Sequence, residues 1–169
     1  MCIRDRYYEA SGLRRPKEYM VADQRFLSGR PDVLTFVSEP LEEDMTLVGP
    51  VDADLEVMLS TTDADFVVKL IDVWPDNTEY PGYQMLVRGD IMRGRYRRSF
   101  SAPEPFTPGE PTEVAFTMPD IAHTFRKGHR IMVQVQSSWF PLADRNPQQF
   151  VDIYRCAASD FIPCDVRIY

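Results

Sequence analysis

The chain has 169 residues, 44% of them hydrophobic, and a formal net charge of −7 from 19 Lys and Arg against 26 Asp and Glu. That apolar fraction excludes general disorder and suits one domain able to bury most of its apolar surface. The acidic balance argues against a phosphate-backbone partner, and no apolar run approaches the roughly 18 residues needed to span a membrane, so neither nucleic acid nor membrane is an expected partner.

Residues 1–6 (MCIRDR) hold no apolar core of a secretory signal and resemble a translated sequencing adapter, so they are expected to be non-native. Residues 7–30 are polar and irregular, with Gly12, Pro16 and Gly29, and read as a linker or lead-in segment lying over the domain. The domain proper is expected over 31–169. Its first strand is Val33 to Glu39, with Val33, Thr35 and Val37 on one face and Leu34, Phe36 and Ser38 on the other. Gly49-Pro50 reads as a turn. Ala53, Leu55, Val57 and Leu59 then alternate with polar neighbours, the pattern of a half-buried antiparallel strand. Phe66 to Trp74 is nearly continuous apolar sequence, broken by Lys69 and Asp72, and should be a central strand.

Pro75 to Gly82 is loop by composition. Tyr83 to Met92 is a strand with a bulge expected near Gly89, and Gly94 to Phe100 continues into a basic edge. Pro103 to Pro111 is a long connection. Further strands are expected at Glu113–Met118, at Ile131–Val135 and from Asp165 to Tyr169, where the pattern suggests truncation at the C-terminus. Seven or eight strands at regular spacing, fourteen prolines and no convincing helix predict an all-β, antiparallel β-sandwich. The long connections at 75–82 and 101–111 favour a jelly-roll over a meander, with a galactose-binding-domain-like form.

The search for chemistry is largely negative. No serine has glycine at both flanking positions of a G-x-S-x-G turn, so no nucleophile is identified. The only histidines, His123 and His129, sit in unpromising contexts; His129 opens a strand from a turn and is expected to be structural. Asp52/Asp54 and Asp63/Asp65 could each contribute to a calcium site, but neither pair leads into a third acid and a glycine, and solvated turn acids are the simpler reading. No catalytic residue, metal site or cofactor is therefore assigned. Arg93, Arg95 and Arg97 would share one face of an extended strand; they read either as an anion patch or as an edge whose charges block pairing. Cys2, Cys156 and Cys164 make an odd set. Cys156 and Cys164 either pair or remain free thiols, and no CxxC spacing suggests zinc. Trp74, Tyr80 and Tyr83 could join Trp139 and Phe140 in an aromatic carbohydrate platform; Trp74 ends a buried strand and reads as core, whereas Trp139 and Phe140 begin a loop and suit a contact surface.

Several blocks carry a resemblance. They are Ala22–Phe26, Arg30–Leu34, Ser38–Leu41 with Glu43-Asp44, Gly49–Val51, Asp65–Val73 with Pro75-Asp76, Arg93–Arg98, Gly128–Ile131 and Ser138–Pro147. In order and spacing they resemble the C-terminal domain of the X-Pro dipeptidyl peptidase, cocaine esterase and α-amino acid ester hydrolase group of serine hydrolases. The stretch WFPLADRNPQ is similar to the α-amino acid ester hydrolase and glutaryl-acylase branch.

The resemblance implies an accessory domain of a multidomain hydrolase of esters or amides, active through an acyl-serine on an α/β-hydrolase domain beneath a helical cap. The partners it implies are those two domains of the same parent chain, which would be bacterial. That parent could be a homo-oligomer and either periplasmic, secreted or cytoplasmic. None of the group's catalytic positions falls in this chain. Trp139, Phe140, Asp144, Arg145 and Asn146 are expected to form the face toward the catalytic domain, unless Asp144, Arg145 and Asn146 merely lock their own loop. The competing expectation is a free-standing carbohydrate-binding sandwich.

Overall fold

The computed structural model describes residues 22–140 and 142–169. Seven strands occupy these residues: β1 (Val33–Val37), β2 (Met45–Leu59), β3 (Asp65–Val73), β4 (Gln84–Arg93), β5 (Thr112–Phe125), β6 (Arg130–Gln136) and β7 (Val166–Ile168). Three short 3-10 turns accompany them, and no α-helix is present among the described residues. Two antiparallel sheets result, one in the order β1-β6-β3-β4 and one in the order β5-β2-β7. Only β3 and β4 are chain neighbours in the same sheet; every other connection crosses between sheets.

The two sheets face each other through their alternating apolar residues. Ala53 of β2 and Met118 of β5 pack with Val68 of β3 and Val135 of β6, while Leu70 of β3 meets Ile121 and Phe125 of β5. The all-β antiparallel sandwich read from the sequence is therefore the observed one. β3 is buried along nearly its whole length because both its faces are covered. Phe66, Val68 and Leu70 point into the sandwich. Val67 and Ile71 point the other way and pack with Leu86, Met132 and Trp139 on the outer face of the four-stranded sheet. Leu27, 2% exposed in the first 3-10 turn, belongs to the core as well. The expected lead-in over 7–30 is thus described from residue 22 onward; the rest of it, Cys2 and residues 1–6 lie outside the described residues.

Two strands are longer than expected. Gly49-Pro50 is not a turn: it lies inside β2, where the register against β5 slips between Gly49 and Val51. Gly49 takes φ +117, a conformation open to glycine, and proline lacks the N–H that a regular ladder would use. The residue pair that ordinarily makes a turn here makes a bulge that bends a long strand instead. The bulge of the β3–β4 pair sits where Leu70 faces Arg88 and Ile71 faces Leu86, so Val87 is the extra residue rather than Gly89. The basic run is corrected too. β4 ends at Arg93, Gly94–Tyr96 form a 3-10 turn, and Arg95 is buried, so the arginines do not line one face of a strand.

Candidate functional site

The loop from Trp139 to Phe150 runs over the outer face of the four-stranded sheet. It is anchored at both ends by buried polar groups. At its start, Trp139 is 5% exposed and packs on Val67, Ile71 and Leu86. Lys69, itself 1% exposed, brings its Nζ to 4.9 Å from the Trp139 ring centroid and donates to Gln24 Oε1 at 3.0 Å. Gly89 leaves the room: a Cβ there would lie 2.8 Å from Trp139 Cη2 and 3.2 Å from Lys69 Cγ. Trp139 is thus a core residue supporting the loop from below, and it is more deeply buried than Trp74. The latter, half-buried, clusters edge-on with Tyr80 and Tyr83 and tilts against His129.

At its far end the loop is tied to the start of β3. Asn146 Nδ2 donates to Asp63 Oδ2 at 3.0 Å and to Asp65 Oδ1 at 2.8 Å. Arg95 donates through Nε to Asp63 Oδ2 at 2.7 Å, and its other nitrogens reach the carbonyls of Val151 and Gln149. Arg93 pairs with Asp65 and donates to the Asp144 carbonyl at 3.0 Å. The Asn146 Oδ1 accepts from the Gln148 N–H at 2.8 Å, which holds Gln148 at φ 67, an unusual backbone state for a residue with a side chain.

Asp63 and Asp65 are 0% and 2% exposed, so they are not solvated turn acids, and their partners are cations and an amide. Burial pushes the Asp65 carboxyl up to about 6, against the opposing pull of Arg93 and Asn146; the neighbouring Asp63 charge adds to the rise. Asp52 and Asp54, by contrast, are exposed residues of β2, and Thr117 donates to Asp52 across the sheet. No group of three His, Cys, Asp or Glu side chains suited to a metal exists among the described residues. Cys156 and Cys164 are both free thiols, half-buried, and Thr61 donates to the Cys164 sulfur.

Between these anchors the loop presents a surface. The Arg145 guanidinium lies 5.7 Å from the Phe140 ring and 4.8 Å from Phe161. Leu142, Phe150, Tyr154, Phe161 and Ile162 are exposed, Tyr154 at 80%. Leu142, Asp144 and Tyr154 line an open depression of about 400 Å³ with Ile91, Arg93 and Tyr96. Of the five residues expected at an interface, the structure puts Phe140, Asp144 and Arg145 on this surface, whereas Trp139 and Asn146 turn inward beneath it. The apolar residues of 150–162 were missed because that stretch has no strand periodicity. The signal available was the density of Phe150, Tyr154, Phe161 and Ile162 in a segment without regular structure.

One further grouping escaped the sequence reading. Both histidines meet a single carboxylate: His123 Nε2 lies 3.0 Å from Asp72 Oδ2, and His129 Nδ1 lies 2.8 Å from Asp72 Oδ1. The side chain of Asp72 is 3% exposed. Asp72 comes from β3 and His123 from β5 of the other sheet, so the group fastens the two layers. Spacing along the chain gives no hint of it, because only the packing of the sheets brings the three residues together.

Fold and site together define an antiparallel β-sandwich with a supported, partly apolar surface. The sequence pattern of the X-Pro dipeptidyl-peptidase C-terminal non-catalytic domain matches residues 13–152, and the chain belongs to that family. The free-standing carbohydrate-binding alternative is set aside by this match. Over 125 residues, 74% of its length, the chain is 43% identical to the cocaine esterase of Rhodococcus sp. (strain MB1 Bresler) and spans 21% of that protein. Two solved structures are similar at high coverage. An α-amino acid ester hydrolase aligns over 89% of this chain and 25% of its own, at 49% identity and a TM-score of 0.86. An aminopeptidase from the marine sediment archaeon Thaumarchaeota archaeon aligns over 90% of this chain and 26% of its own, at 45% identity and a TM-score of 0.87. The chain thus spans about a fifth to a quarter of the relatives it matches.

Proposed function

We propose that this chain is the C-terminal accessory domain of a serine hydrolase of esters or amides, and that the surface over Phe140–Ile162 packs on its α/β-hydrolase and cap domains and helps shape their pocket. The sheet crossings are read, in the same proposal, as a jelly-roll, and the lead-in over 7–30 as the connection from the upstream domains. The observation that carries the reading is the pairing of an exposed apolar surface with a buried charged frame. Leu142, Tyr154 and Phe161 are exposed above Asp63, Asp65, Arg93, Arg95 and Asn146, which fix the loop. Buried ion pairs are a costly way to stabilise a loop, and their use is expected where a loop must hold one shape to meet a partner. The relatives' names, an ester hydrolase and an aminopeptidase among them, support an acyl-transfer parent, with α-amino acid esters or amides as the substrate class.

The reading is tested by titrating the chain into the α/β-hydrolase and cap portion of such a hydrolase. Saturable binding is expected, weakened at least tenfold by Leu142→Asp or Tyr154→Ala. A double-mutant cycle between Arg145 and an acid of the hydrolase portion reports direct contact; zero coupling there, with no effect of Leu142→Asp, removes the docking role of this surface.

A further inference from the structure

A second unfilled surface lies between the sheets. On β1, Leu34 and Phe36 pair with Val135 and Val133 of β6 and therefore share their face, the one turned into the sandwich. Val133 and Val135 pack with Ala53, Val51, Leu55 and Ile168 of the opposite sheet. Yet Leu34 is 42% exposed and Phe36 57%. The opposite sheet stops short of them: β7 pairs with β2 only at Val57, Met58 and Leu59, and Tyr169 adds one bond to the Glu56 carbonyl.

Upstream of Glu56, β2 has no partner on its β7 side among the described residues. In an antiparallel ladder the N–H and C=O of one residue point to the same side and alternate along the strand. Ser60 donates toward Asp165 and Glu56 accepts from Tyr169, so the even-numbered residues face β7. Asp54 and Asp52 therefore turn their backbone groups to the open edge.

We propose that this edge receives an extended strand, antiparallel to β2 and in line with β7, supplied by the larger polypeptide of the family reading. Its chemistry follows from the register. Val57 faces Ile168, so a strand running on in that register sets inward positions beside Leu55, Ala53 and Val51, and these must be apolar to cover Leu34 and Phe36. The outward positions lie beside the exposed acids Asp54 and Asp52, and Glu56 adds a third acid to that row. On the same outer face β7 carries Arg167. Directly opposed opposite charges stabilise a sheet, so lysine or arginine suits the outward positions.

The test uses the 169-residue chain and two versions lengthened after Tyr169. One carries Val-Lys-Val-Lys-Val, with valine inward; the other carries Lys-Val-Lys-Val-Lys, which puts lysine inward. Amide hydrogen exchange is followed at Asp52 and Asp54, with the β3 amides as the internal reference for folding. The expected result is fast exchange at both sites in the parent chain, slowed at least tenfold by the first extension and not by the second. Binding of a hydrophobic dye should fall in parallel. Should an extension disturb β3, the same five-residue peptides are added in trans at millimolar concentration with the same readout.

Equal effects of the two extensions overturn the proposal. So does slow exchange at Asp52 and Asp54 in the unextended chain, since the edge is then already covered. Protection that disappears on dilution assigns the edge to a second copy and overturns it as well. Binding to the hydrolase portion depends on the Phe140–Ile162 surface instead, so the family reading and this proposal can fail separately.

Discussion

Asn146 and the two acids it bridges, Asp63 and Asp65, decide how the far end of the 139–150 loop is held, and all three were legible only in part. Asn146 was singled out from the sequence, with either a docking or a loop-locking role open. In the structure it bridges two buried acids and fixes Gln148 in a left-handed state. Replacing it by alanine leaves Asp63 and Asp65 short of a donor, and removing a partner from a buried charged group costs about 3 kcal/mol. Urea denaturation of Asn146→Ala should show that loss, with an unchanged slope. The acids themselves looked like surface residues because Thr61, Asp63 and Asp65 spell a turn; the arginines that bury them lie some thirty residues away. Asp65 also makes a pH prediction. Its carboxyl is raised in the folded state from 3.8 to about 6, so the folded chain binds this proton more tightly than the unfolded chain. The stabilising contribution is full below the unfolded value and is lost as pH rises through about 6. The loss amounts to about 3 kcal/mol between pH 3 and pH 8 if this group acts alone. Asp65→Asn should remove that component of the stability profile; a profile unchanged by the substitution contradicts the assignment.

At the level of elements, the apolar pattern located every strand, as period-2 alternation where one face is buried, as in β2 and β5, and as a continuous apolar run in β3, which is covered on both faces. Strand lengths were harder. β2 and β5 extend through Gly49-Pro50 and Pro119, residues that ordinarily end strands, since a register slip absorbs the missing donors. Gly49→Val should therefore cost more than 1 kcal/mol, as a β-branched residue is strained at φ +117. Gly89 shows the converse case. A bulge was expected there, but the glycine is needed for space beneath Trp139 and beside Lys69. Gly89→Ala should destabilise by about 1–3 kcal/mol and shift the emission of the buried tryptophan. Normal stability with unchanged fluorescence would show that the ring can move aside. The Asp72–His123–His129 group belongs to this scale too, because it joins elements of both sheets and no local pattern announces it.

For the molecule as a whole, the family match and the exposed loop surface carry the reading. The sequence offers no G-x-S-x-G turn and no readable triad, and it resembles a non-catalytic domain; the match over residues 13–152 places it in that family. Its surface agrees with such a role, since Leu142, Tyr154, Phe161 and Ile162 are exposed on one supported loop system. The measurement that tests this account most directly is the coding sequence upstream of Tyr7. The account predicts a continuous reading frame holding G-x-S-x-G between a strand and a helix, followed by the Asp and His of a triad. A genuine start near Met1, with no hydrolase frame before it, would contradict the account.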